Sequence, residues 1–192
     1  MRKIIFLDID GVLNHNQYFM EMKSIGKRSD GTKLGFFKQH IDIISLLYLE
    51  DICKDYDTKI VISSTWRHNR THKEIKESFK SAFDVDLPII DSTPILGGLP
   101  RGLEIKKWLN DEGLNVYYWS KDQTRESMEK SNIEQYVILD DDSDMLYQQR
   151  NHFVHVLPYP RNDMGFRNAE YTNKVRKILS TDLINLNNIE NY

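Results

Sequence analysis

The feature that most constrains the fold of this chain is a short apolar run that ends abruptly in acids. Residues 3–7 are mostly branched or aromatic, and Asp8, Asp10 and Gly11 follow them at once. A run without polar alternation is typical of a strand that is buried on both faces of a sheet. Three further runs predict strands of the same kind, at residues 59–63, 136–139 and 153–157.

Helical patterns separate these runs. We expect helices over about residues 40–55, 72–82, 102–112, 121–132 and 168–180. Buried strands that alternate with amphipathic helices indicate an α/β fold: a Rossmann-like, mostly parallel sheet with helices on both faces. The chain has 192 residues and no clear linker, which favours a single domain over residues 1–192.

Two stretches show no regular pattern. Glycines and mixed charges over about residues 14–36 predict a flexible hairpin or flap beside the carboxyl end of the first strand. Residues 84–100 contain several prolines and glycines and are expected to form a second irregular passage.

Composition excludes several classes of function. The net charge is −3, with 26 basic and 29 acidic side chains interspersed, so no stable nucleic-acid complex is predicted. Cys53 is the only cysteine, and no internal disulfide can form. The apolar run after the N-terminus is too short for a secretory signal, and no segment approaches a membrane span. We therefore expect a soluble protein of the cytoplasmic type.

Polar residues end three of the four predicted strands, and in a parallel sheet such ends meet at one edge. Carboxylates gathered there would repel one another unless a cation were present, and an all-oxygen ligand set suits Mg²⁺. A carboxylate at such a site can attack a phosphoryl group, while a second carboxylate moves protons. The residues expected at this edge are Asp8, Asp10, Ser63, Ser64, Asp140, Asp141 and Asp142.

Four segments, in order, resemble the motifs of phosphatases of the haloacid dehalogenase (HAD) superfamily. The combination is closest to the HAD-type domain of multi-domain RNA-repair proteins, and it implies a Rossmann-like fold with no cap or a minimal one. The resemblance covers about residues 3–166, and Gly165-Phe166 also fits it. The four segments are Phe6 to Asn14 around Asp8-Ile9-Asp10-Gly11, Val61 to Arg67, Arg101 to Leu109, and Val137 to Asp144.

The resemblance also implies roles. Asp8 would be the nucleophile and a metal ligand. Asp10 would be the general acid and base, with its backbone carbonyl on the metal. Asp140 and Asp141 would complete the Mg²⁺ site, and Ser63 would bind phosphate.

Further phosphate ligands are expected around this site. The superfamily commonly has lysine in its third motif, where this chain has Arg101, with Lys106 further along the helix. Arginine can bind phosphate through two nitrogens, which favours Arg101 over Lys106 for the role. Ser64 and Arg67 are two more candidates, although Arg67 could instead pair with a surface acid.

Several other residues near the motifs have two interpretations each. Trp66 and Trp108 could stack on bases, but they are expected to pack in the core. His15 could contact a leaving group, but it is expected to lie on the surface. Tyr18 and Phe19 could form an apolar wall for substrate or pack in the ordinary way. Asp144 could hold a loop or orient a water molecule on the metal.

The spacing of the motifs leaves little room for a cap. About 26 residues follow the first motif before the next helix, and about 33 separate Arg67 from Arg101. An open site favours a large substrate: a phosphoprotein, including phosphotyrosine, or a phosphorylated polynucleotide end. The alternatives are a noncatalytic phosphate-binding or interaction domain, a small-molecule (nucleotide) phosphatase, and a phosphotransferase.

Overall fold

A computed structural model of the protein describes residues 2–26, 31–114, 132–157, 161 and 164–181. Five parallel strands form one sheet in the order β3-β2-β1-β4-β5. The strands are β1 (Arg2–Leu7), β2 (Thr58–Ile62), β3 (Ile89–Ser92), β4 (Ile133–Asp140) and β5 (Phe153–His155). The predicted α/β fold with a parallel sheet is confirmed.

Six helices of the described residues surround this sheet. They are α1 (Asn16–Ser24), α2 (Lys33–His40), α3 (Ile43–Tyr56), α4 (His72–Phe83), α5 (Arg101–Asp111) and α6 (Ala169–Ser180). Short 3-10 helices follow β2 (Thr65–His68) and precede β5 (Tyr147–His152), and a third one precedes α6 (Gly165–Arg167). No helix within these ranges has both the length and the apolar character needed to cross a membrane.

The sheet is buried on both faces, which explains the continuous apolar runs. In β1, Ile5 and Leu7 face one core with α3, α4 and α6, whereas Ile4 and Phe6 face a second core with α5. All four side chains are fully buried. Both faces of the strand therefore require apolar residues.

The passage at residues 84–100 contains a strand, which its prolines and glycines did not predict. β3 pairs in parallel with β2 at the edge of the sheet. Its apolar part is only Ile89-Ile90, and Ile90 is exposed, as an edge strand allows. Pro88 and Pro94 on either side had favoured a loop. The prediction of an irregular passage was wrong for residues 89–92.

The segment at residues 14–36 contains α1 and the start of α2 among its described residues, so it has more regular structure than a hairpin. A flap at this segment stays a prediction. His15 and Thr32 cap α1 and α2 by accepting hydrogen bonds from backbone N–H groups one turn ahead. Each helix buries few side chains, chiefly Tyr18 and Phe37, so neither shows a strong amphipathic pattern. The Tyr18 hydroxyl donates to the carbonyl of Lys38 at 2.6 Å, which ties the two helices together.

The helices predicted near 40–55, 72–82, 102–112 and 168–180 are confirmed as α3, α4, α5 and α6. The helix predicted over residues 121–132 lies almost wholly outside the described residues.

Candidate active site

Three carboxylates meet at the carboxyl ends of β1 and β4, which are neighbours in the sheet. Leu7 lies opposite Leu139, so Asp8 after β1 lies beside Asp140, the last residue of β4, and Asp141 follows. One oxygen from each of the three lies within 4.8 Å of the others. The predicted convergence of these acids is therefore present in the fold.

This acidic cluster is electrostatically costly. Burial, together with the charge of Asp8, raises the pKa of Asp140 to about 8 and that of Asp141 to about 6. Burial also raises the pKa of Asp8, although Arg101 and the Ser64 hydroxyl oppose that rise. A cation held between these groups would stabilise their ionised forms.

The donors of the cluster suit a hard divalent cation. All three are carboxylate oxygens, and the group contains no histidine or cysteine. Hard oxygen donors of this kind suit Mg²⁺, which usually keeps several waters in its coordination shell. The Asp10 carboxylate lies outside this group of three. A bond from its backbone carbonyl to the metal stays a prediction.

Asp10 is exposed, yet its carboxylate is held in one orientation. The Asn14 side-chain amide donates to Oδ1 at 2.8 Å, and Trp66 Nε1 donates to Oδ2 at 2.8 Å. The backbone N–H of Gly11 in turn donates to Asn14 at 2.8 Å. Trp66 packs as expected, but it also positions Asp10, which its place in the sequence did not indicate.

Arg101 lies directly on the acidic cluster. Its Nη1 donates to Asp8 Oδ1 at 2.7 Å and to Asp140 Oδ2 at 3.0 Å. The side chain is 13% exposed, so this cation is largely shielded from bulk water. Arg101 can therefore balance charge on Asp8 and on a group bound beside it.

The position of Arg101 is fixed by the loop after β4. Arg101 is the first residue of α5, and Pro100 before it gives no side-chain cap. Asp144 replaces that cap: its Oδ2 accepts from the Arg101 N–H at 2.7 Å, and its carbonyl accepts from Gly102 at 3.3 Å. Asp144 therefore holds the loop and the helix start together.

Lys106 is half-buried on the same helix. Five residues of helix correspond to a rotation of about 140° from Arg101. The two side chains therefore leave α5 in different directions, and the structure brings Arg101 onto the acidic cluster. A contact of Lys106 with phosphate stays a prediction.

The two serines follow β2, the other neighbour of β1. The Ser63 N–H donates to the Leu7 carbonyl at 2.9 Å, which places Ser63 next to Asp8. The Ser63 side chain is fully buried, and its hydroxyl has no hydrogen-bond partner among the described residues. Buried hydroxyls are rarely left unpaired, so this one is suited to donate to a bound oxygen. Ser64 accepts from the Trp66 N–H at 3.3 Å and caps the 3-10 helix that follows β2.

Arg67 has a buried acidic partner rather than a surface acid. Its Nη2 binds Glu104 of α5, and the two side chains are 4% and 8% exposed. Its Nη1 also donates to the carbonyls of Ser63 and Ser64. The second oxygen of Glu104 accepts from the Leu96 N–H at 2.9 Å. These contacts fix the loop that carries Ser63 and Ser64. Binding of phosphate by Arg67 stays a prediction.

His15 is buried, so the expectation of a surface residue was wrong. Its Nδ1 accepts from the Tyr18 N–H at 3.1 Å, and its Nε2 lies 3.1 Å from Asp42. Arg167 binds the same Asp42 carboxylate through two nitrogens at 3.0 and 3.2 Å. Histidine, aspartate and arginine together link the first motif to α3 and to the segment before α6.

The late Gly165-Phe166 pair also supports the first motif. The Phe166 N–H donates to the Val12 carbonyl at 2.9 Å. A Cβ at position 165 would lie 2.8 Å from the same carbonyl oxygen and 2.9 Å from the His15 ring, so glycine is needed there.

A parallel sheet with these acids at the carboxyl ends of its inner strands defines a HAD-type domain. The chain belongs to the family described as the HAD domain in Swiss Army Knife RNA repair proteins, whose family model matches residues 4–170. No curated protein and no solved structure matches the chain. The superfamily includes phosphatases, and the cluster of Asp8, Asp140 and Asp141 is compatible with that activity.

Proposed function

We propose that this protein is a Mg²⁺-dependent phosphatase that hydrolyses a phosphomonoester through an aspartyl-phosphate on Asp8. The observation that carries the proposal is the position of Asp8. Its carboxylate is buried, contacts Arg101 at 2.7 Å and lies in the cluster with Asp140 and Asp141. A carboxylate held beside balancing charge is suited to attack a dianionic phosphoryl group.

The reaction would proceed in two displacements. In the first, an Asp8 oxygen bonds to phosphorus, the bond from phosphorus to the ester oxygen breaks, and Asp10 gives that oxygen a proton. In the second, Asp10 takes a proton from water as the water oxygen attacks phosphorus. Inorganic phosphate leaves and the Asp8 carboxylate is restored. The hydrogen bonds from Asn14 and Trp66 fix the orientation of the Asp10 carboxylate, which supports this role in proton transfer.

Three groups would bind the phosphoryl oxygens. Ser63 offers a buried hydroxyl that is otherwise unpaired among the described residues, and Ser64 follows it. Arg101 balances the charge that develops on the oxygens during transfer. Bound to Asp8, Asp140 and Asp141, Mg²⁺ would neutralise the acidic cluster and polarise a phosphoryl oxygen.

The site favours a phosphate carried on a large molecule. Between Arg67 and Arg101 the chain forms α4 and β3, which belong to the core, and α1 and α2 are the helices described after the first motif. The described residues therefore include no domain that closes over Asp8. The family's association with RNA repair supports a phosphorylated polynucleotide end over a phosphoprotein.

A turnover assay tests this function. The protein should release phosphate from an aryl phosphate and from end-phosphorylated oligonucleotides only when Mg²⁺ is present. Asp8→Asn should lower the rate by at least about a thousandfold, because it removes the nucleophile but keeps the side-chain shape. Asp86→Asn is the matched control and should keep the wild-type rate, since Asp86 is an exposed acid outside the cluster that pairs with Lys76 and Lys80. Undiminished turnover by Asp8→Asn would exclude the proposed mechanism.

A further inference from the structure

Next to Asp10 begins a series of planar side chains that contact one another. Trp66, whose Nε1 binds Asp10, lies 5.6 Å from Phe36 between ring centroids. Phe36 stacks on His40 at 4.1 Å with an interplanar angle of 20°. The Arg70 guanidinium lies over Trp66 and Phe36, 5.1 and 5.2 Å from their centroids. These four residues, Trp66, Phe36, His40 and Arg70, form what we call the stacking platform.

The platform becomes more open with distance from Asp10. Trp66 is only 8% exposed, whereas Phe36, His40 and Arg70 are all half-buried. Phe36 lies between His40 and the Arg70 guanidinium, so a base beyond Trp66 would stack on the outer face of the half-buried Arg70 or His40.

The platform also carries positive charge. Among the described residues no carboxylate lies within ion-pairing distance of Arg70, and its described ring partners are Phe36, Phe37 and Trp66. Arg70 and Lys33 both contribute to lowering the pKa of Glu74, so both cations lie near that residue. Stacking surfaces beside cations are the common means of holding single-stranded nucleic acids.

We propose that the stacking platform is the subsite for the base of the terminal nucleotide whose phosphate is removed. This inference rests on the proposed function, because Asp10 must protonate the leaving oxygen and the leaving group must therefore lie beside Asp10. Trp66 binds the Asp10 carboxylate and Arg70 lies over the Trp66 ring, so these two groups lead outward from Asp10. Arg70 would also attract the next backbone phosphate.

The spacing favours a nucleotide over phosphotyrosine. In phosphotyrosine the ring carries the phosphate directly, so it would lie next to Asp10, where the aromatic contact among the described residues is the nearly buried Trp66. In a nucleotide the sugar separates the base from the phosphate, and the base reaches the more open rings further out. Contact with one terminal nucleotide requires no extensive basic surface, in agreement with the net charge of −3.

Paired oligonucleotides test the subsite. Within a pair, one oligonucleotide carries its terminal phosphate on a normal nucleotide and the other carries it on an abasic sugar. One pair has the phosphate at the 3′ end and a second pair has it at the 5′ end. Binding is measured by fluorescence anisotropy on the Asp8→Asn protein with Mg²⁺, so that no turnover occurs. The normal end should bind about tenfold more tightly than the abasic end, as expected for one stacked base.

Two variants in the same background separate stacking from charge. Arg70→Lys keeps the charge and loses the planar group, and Phe36→Leu keeps an apolar side chain and loses the ring. Both should reduce the tenfold preference to about twofold or less. Arg150→Lys is the matched control, because Arg150 lies 3.8 Å over the Tyr147 ring, outside the platform. This control should keep the preference.

Three results would overturn the inference. One is equal binding of normal and abasic ends at both termini, and another is a preference that survives in both Arg70→Lys and Phe36→Leu. The third is tighter binding of a phosphotyrosine peptide that depends on these two residues. Failure of the proposed function can be told apart from failure of the subsite. It would appear as an absence of turnover by the wild-type protein, independent of the result of the binding measurements.

Discussion

The backbone of Gly11 lies against the carboxylate of Asp141. A Cβ at position 11 would come within 2.2 Å of Asp141 Oδ2, and Gly11 has a φ of +74° that other residues rarely adopt. We predict that Gly11→Ala displaces Asp141 and lowers the affinity for Mg²⁺ measured by titration calorimetry. The free energy of unfolding should fall by about 1–3 kcal/mol, since strained backbone adds to the steric collision.

Gly98→Ala separates the effect of backbone strain from that of the collision with Asp141. Gly98 has a φ of +81°, but apart from its chain neighbours no atom of the described residues lies within 4 Å of the site of its missing Cβ. That variant should lose stability from backbone strain alone and keep the wild-type affinity for Mg²⁺. Equal affinity in Gly11→Ala and wild type would show that the close approach to Asp141 does not matter.

Arg101→Ala should lower the rate of phosphate release by about a hundredfold or more, because Asp8 and Asp140 would lose the cation between them. Arg101→Lys should recover part of the rate, since a single ammonium replaces the guanidinium. Lys106→Ala, on the same helix, should have a much smaller effect. A larger loss in Lys106→Ala than in Arg101→Ala would assign the third-motif role to Lys106.

Arg67→Ala should destabilise the protein by about 3–5 kcal/mol, because it leaves the Glu104 carboxylate buried without its ion pair. Lys107→Ala is the control on α5, where Lys107 pairs with Asp111 at 2.9 Å on the exposed face. That substitution should cost less than about 1 kcal/mol. Urea denaturation measures both values. Similar losses of stability would mean that the buried Arg67–Glu104 pair stabilises the protein no more than the exposed pair does.

The metal-free protein should become less stable as pH rises. Burial raises the pKa of Asp141 to about 6 and that of Asp140 to about 8, both above the unfolded value of about 3.9. The folded state therefore holds more protons, and the associated stability is fully present below about pH 4 and lost as pH rises to about 8.

Urea denaturation in EDTA at several pH values tests this relation. Asp141→Asn should remove the part of the decrease in the free energy of unfolding that occurs between about pH 4 and 6. Saturating Mg²⁺ should raise the stability of the wild type most at the high-pH end, because it binds the ionised carboxylates of the folded state. Identical slopes for wild type and Asp141→Asn in EDTA would be evidence against raised pKa values at these carboxylates.

Much of the fold could be predicted because the central strands are buried on both faces. Ile4 and Phe6 face one core while Ile5 and Leu7 face the other, so the whole run must be apolar and is easily read. The edge strand β3 has no such requirement, and α1 and α2 bury too few residues to give a helical pattern.

The three acids of the site could also be predicted, since strand order brings the ends of β1 and β4 together. The supporting contacts could not, because they join residues distant in sequence through the packing of helices. Trp66 binds Asp10 across 56 positions, and Arg67 binds Glu104 across 37. Neither partner can be chosen until α5 and the 3-10 helix after β2 have been placed.

Isolation of the phosphoenzyme tests the central claim most directly. Asp10→Asn should slow hydrolysis of the aspartyl-phosphate, because no carboxylate then takes the proton from water. With an aryl phosphate, whose leaving group needs little protonation, and with Mg²⁺, the intermediate should accumulate after an acid quench. Mass spectrometry should then find one phosphoryl group on the peptide that contains Asp8, and none when Asp8 is also changed to Asn. Turnover without any phosphorylated peptide, or with the label on another residue, would contradict the role of Asp8.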